Sequence, residues 1–67
     1  MASFSEANQI RLSMKMKLSN YAWFDSSGVF PEEDGFGVLI VVSELNNNIR
    51  KLIPPVVDGI SIKVDCK

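Results

Sequence analysis

The chain has 67 residues, 46% of them hydrophobic, with seven basic and eight acidic side chains and a net charge of −1. That describes one small domain, 1–67, with apolar material for a core and no global field to draw it to nucleic acid or an anionic membrane. Histidine is absent, which removes Ser-His and Cys-His nucleophilic catalysis and argues against structural zinc, and the single cysteine, Cys66, has no partner for an intrachain disulfide.

Residues 10–19, Ile-Arg-Leu-Ser-Met-Lys-Met-Lys-Leu-Ser, alternate apolar and polar side chains, the period of a strand with one buried face. The same region carries a helical alternative. Ser3 and Glu6 have capping-box spacing, and Phe4, Ala7, Ile10, Met14, Leu18 and Tyr21 recur at steps of three or four. A helix strands Leu12 and Met16 opposite that stripe, whereas a strand misplaces nothing apolar, so the pattern favours the strand. The apolar phase then shifts from even to odd positions at Tyr21 and Trp23, which a β-bulge near Ser19-Asn20 or a strand end would explain.

Asp25 to Gly35 is dense in turn formers and reads as a long connection. Gly37-Val38-Leu39-Ile40-Val41-Val42 is a continuous β-branched run, which suits a central strand buried on both faces. Ser43 is placed to cap a helix bearing Leu45, Ile49, Leu52 and Ile53 and ended by Pro54-Pro55. Asp58-Gly59 turns the chain into Ile60–Asp65, a second alternating strand. Strand-helix-strand order makes the two later strands parallel. The expected fold is α+β: a three-stranded mixed sheet with one helix on one face, in the order β-β-α-β. If residues 4–21 are helical, the order becomes α-β-α-β.

Chemistry is scarce. Glu32, Glu33 and Asp34 are consecutive, but the loop lacks the Asp-x-Asp-x-Asp-Gly spacing that surrounds calcium with oxygens. Gly28, Gly35, Gly37 and Gly59 form no phosphate-binding fingerprint. No metal, cofactor or catalytic residue is expected, and the chain reads as no enzyme.

Two binding readings remain. Phe30, among the turn formers, is the aromatic placed to project outward. With Glu32, Glu33 and Asp34 it makes a protein-binding loop in an adaptor, inhibitor or accessory subunit whose partner is another protein or a second copy of the chain. The alternative is a single-stranded nucleic-acid binder. On a strand, Arg11, Lys15 and Lys17 share one face, and Tyr21 and Trp23 continue it as stacking rings; the net acidity weighs against this reading.

The start, Met1-Ala2-Ser3-Phe4, lacks the basic and apolar regions of a leader, and the longest apolar run, Val38–Val42, is too short to span a bilayer. A lone thiol suits a reducing compartment, so the expected location is cytoplasmic.

Overall fold

The computed structural model describes residues 3–67 and begins with a helix, α1, over Phe4–Leu18. Met1 and Ala2, which enter the expectation that no leader is present, lie outside those residues. The helical alternative therefore replaces the favoured strand at 10–19. The local chemistry accounts for it. Ser3 Oγ accepts from the Glu6 N–H at 3.1 Å, and Glu6 Oε1 accepts from the Ser3 N–H at 3.3 Å, so the box closes in both directions. Ile10 is the only β-branched residue in a stretch otherwise rich in helix formers. Ala7, Met14 and Leu18 are buried, while Leu12 and Met16 remain 43% and 77% exposed on the outer side.

The presumed connection from Asp25 to Gly35 is a hairpin instead. Strand β1, Phe24–Glu32, pairs antiparallel with β2, Gly35–Val42, across the two-residue turn Glu33-Asp34, and Gly35 takes φ +135°. Ser26, Ser27, Gly28 and Pro31 have poor strand propensity, yet β1 is an outer strand, where polar side chains and an absent N–H are tolerated. The register break falls between Phe24 and Ser26, five residues beyond the bulge expected near Ser19-Asn20.

Strand β2 is central, as the apolar run implied, though only one of its faces is closed. Val38, Ile40 and Val42 are fully buried, whereas Leu39 and Val41 are half-buried. The second helix, α2, is short. It spans Asn47–Leu52 and is capped by Asn46, whose Oδ1 accepts from the Ile49 N–H at 3.0 Å. The expected cap, Ser43, is engaged elsewhere: its N–H and hydroxyl both donate to the Trp23 carbonyl. Ile53 is already extended ahead of Pro54, consistent with the steric effect of proline on its predecessor.

Two residues of strand β3, Val56–Val57, then pair antiparallel with β4, Ile60–Cys66, across Asp58-Gly59. Both turn residues have positive φ (49° and 79°), the handedness that matches the twist of a tight hairpin. Strands β2 and β4 are parallel, from Val38 opposite Ile62 to Val42 opposite Cys66. The sheet is mixed and four-stranded, ordered β1-β2-β4-β3. The fold is thus α+β with a mixed sheet, as expected, but it opens on a helix and adds β3.

The core is a single cluster in which Ala7, Met14 and Leu18 of α1, Ile49 of α2 and Ile53 meet Val38, Ile40, Val42, Ile60 and Ile62 of the sheet. Helical residues from both helices thus pack into the cluster formed by one face of the sheet. No buried polar side chain interrupts it among the described residues. No helix there is long and apolar enough to cross a membrane.

Candidate functional site

Pleating sends alternate residues of a strand to opposite faces, and paired residues share a face. Val38, Ile40, Val42, Ile60 and Ile62 define the covered side of the sheet. The other side therefore carries Phe30 on β1, opposite Gly37, then Leu39 and Val41 on β2, with Lys63 and Asp65 beside them on β4. Phe30, Leu39 and Val41 are each half-buried and stand outside the cluster and its packed neighbours. The molecule has an open sheet face with an apolar centre.

Phe30 is the organising side chain of this face. A Cβ added at Gly37 would meet Phe30 Cζ at 2.5 Å and Glu32 Oε1 at 2.8 Å, so the ring and the carboxylate occupy the space a side chain would take. Lys63 Nζ lies 4.7 Å from the Phe30 ring centroid, within reach of a cation–π attraction. The aromatic ring thus lies against the bare backbone of Gly37 and has an ammonium group over its face.

The expected partner-binding set divides between two places. Phe30 and Glu32 lie on the open face, while Glu33 and Asp34 form the exposed hairpin tip. Glu32 and Asp34 also line a hollow of about 350 Å³, whose walls include Glu6, Asp58 and Phe36. This end of the molecule is acidic. Among the described residues, however, no three His, Cys, Asp or Glu side chains converge closely enough to hold a metal ion.

The residues named for nucleic acid do not share a sheet face, because α1 is a helix. Lys15 and Lys17 project roughly 160° apart around its axis. Arg11 is half-buried, with its Nε donating to Asn8 Oδ1 at 2.8 Å. Tyr21 and Trp23 lie in the turn after α1 and stack on each other, centroids 4.9 Å apart and planes 21° from parallel. Trp23 also packs against the core. The basic-aromatic strand that motivated the reading is corrected by this geometry.

Leu39, Val41, Gly37 and Lys63 were not among the sequence candidates. Their signal lay in a combination of strands. Lys63 and Asp65 occupy the polar phase of β4, and a parallel neighbour in register must place Leu39 and Val41 in that same phase. No family model, curated protein or solved structure matches the chain.

Proposed function

We propose that the chain is a non-enzymatic protein-interaction domain, an adaptor, inhibitor or accessory subunit, whose docking surface is the open sheet face. Phe30 is its anchor, Leu39 and Val41 its apolar floor, and Glu32, Glu33 and Asp34 its acidic margin. One observation carries the reading: residues of both helices pack into the core against the same side of the sheet, and the opposite side has a half-buried aromatic and two half-buried aliphatic side chains at its centre. Aromatic groups surrounded by aliphatic and charged neighbours are the usual anchors of protein interfaces. An apolar centre flanked by the charged side chains of Glu32, Lys63 and Asp65 on a sheet face suits a partner surface.

The test is a photo-crosslinking amino acid placed at position 39 and, as a control, at the exposed position 48 on α2, in cells of the native source. Position 39 should give a discrete adduct of one partner mass that disappears with Phe30→Ala. Equal adducts from both positions, or none from position 39, would remove the open face as the docking surface.

A further inference from the structure

The helical side of the molecule is also incompletely closed. Between α1 and the segment following α2 is a hollow of about 110 Å³. Met14 and Leu18 form its base, Ile10 stands at one side, and Leu52, Pro54 and Val57 form the other. Leu52 is 46% exposed, so apolar surface continues outward from the hollow along its α2 wall. Its origin is local. Pro54 and Pro55 stop α2 after six residues, so α2 is far shorter than the fifteen-residue α1 and leaves a notch beside it.

Size and charge together restrict what fits. Apolar cavities of about 150 Å³ accept a benzene ring, so this smaller notch suits one branched aliphatic side chain. Among the described residues Lys17, one helical turn beyond Met14, is the one charged residue lining it, and no carboxylate does so. Lys51 adjoins Leu52 on α2 and is exposed. The carboxylates of Glu6, Glu32, Asp34 and Asp58 gather around the other hollow.

We propose that this notch binds an acidic segment of a partner protein, which seats one leucine- or isoleucine-type side chain on Met14 and Leu18 and sets a neighbouring carboxylate against Lys17. The complementarity is of both kinds an interface uses: an apolar anchor in a pocket and an opposite charge at its rim. A cationic segment meets like charge there. Because the notch lies on the covered side of the sheet, away from Phe30, the two docking surfaces stand or fall separately.

The probe is the capped pentapeptide Glu-Asp-Leu-Asp-Glu, titrated into the full chain while its methyl resonances are followed by NMR. The methyls of Ile10, Leu18, Leu52 and Val57 should shift saturably, and those of Leu39 and Val41 should stay still. Replacing the peptide's leucine with serine should abolish the shifts. Lys17→Glu should weaken binding at least about tenfold; Leu52→Ser, also at an exposed position, should weaken it as well, each with the remaining spectrum unchanged. Unmoved notch methyls would overturn the proposal. So would equal shifts from Lys-Lys-Leu-Lys-Lys, or shifts produced by phosphatidylglycerol vesicles and not by the acidic peptide. None of these results bears on crosslinking from position 39.

Discussion

A single methyl group added at Gly37 would sit 2.5 Å from Phe30 Cζ and 2.8 Å from Glu32 Oε1. Neither contact is sustainable, and both atoms are the far ends of side chains on the open face, so Gly37→Ala should turn the ring and the carboxylate off the sheet. The expected cost is below about 1 kcal/mol, read as a small fall in the urea midpoint together with a clear change in the Phe30 ring resonances. An unchanged midpoint with unmoved ring signals would mean that Phe30 does not rest on the Gly37 backbone. Position 37 illustrates what was hidden in the sequence. Gly35-Phe36-Gly37 looks like ordinary turn material, and only the pairing of Phe30 with Gly37 gives the second glycine its specific role. The anchor itself was legible, because Phe30 is a large apolar side chain among turn formers. Its floor was not, because Leu39 and Val41 look identical in sequence to Val38, Ile40 and Val42, the buried residues that alternate with them.

At the level of elements, the later half of the chain was the readable part. A β-branched run, a proline-terminated helix and an Asp-Gly turn each have one dominant physical cause, and β2, α2 and β4 all formed, although α2 starts under Asn46 instead of Ser43 and β2 is closed on one face only. In the first half two causes competed. Alternation across residues 10–19 argued for a strand, while the Ser3–Glu6 box and the side-chain types argued for a helix. The helix won because closing the box satisfies two otherwise orphan N–H groups, whereas the misplaced Leu12 and Met16 cost only their exposure. Ala7 shows how α1 is seated. It is fully buried, and its small size lets the helix approach the sheet closely. Ala7→Leu should therefore lower stability by about 1–3 kcal/mol, while the double substitution Leu12→Ser and Met16→Ser should change it by less than about 1 kcal/mol. Chemical denaturation of the two variants checks both, and the reverse ranking would mean that α1 packs through its other side.

For the whole molecule the governing fact is how little is buried. A chain of about 60 residues hides roughly 60% of its unfolded surface, and here one layer of helices covers one side of one sheet. Any partner that binds only the folded form adds stability by mass action, about 2.7 kcal/mol at a hundredfold excess over its dissociation constant. The charge is segregated as well. Helix α1 holds Arg11, Lys15 and Lys17 against Glu6 alone, so the excess of acid lies elsewhere in the chain. At the free end of the sheet, Lys67 Nζ meets Asp25 at 3.1 Å, an exposed pair that contributes little by itself. More consequential is the outer strand β1, whose unpaired side runs for nine residues along the margin of the molecule. Pro31 takes one amide donor out of that margin, and the break at Asp25 twists its far end. Together they make the strand a poor template, and this bears on colloidal behaviour, a property that neither docking surface addresses. Pro31→Thr restores the missing donor and a side chain suited to strands. In concentrated solution this variant should scatter more light and raise thioflavin fluorescence over hours while its melting temperature holds or rises. If it stays as dispersed as the parent chain, the proline is not what keeps copies of this protein from zipping edge to edge.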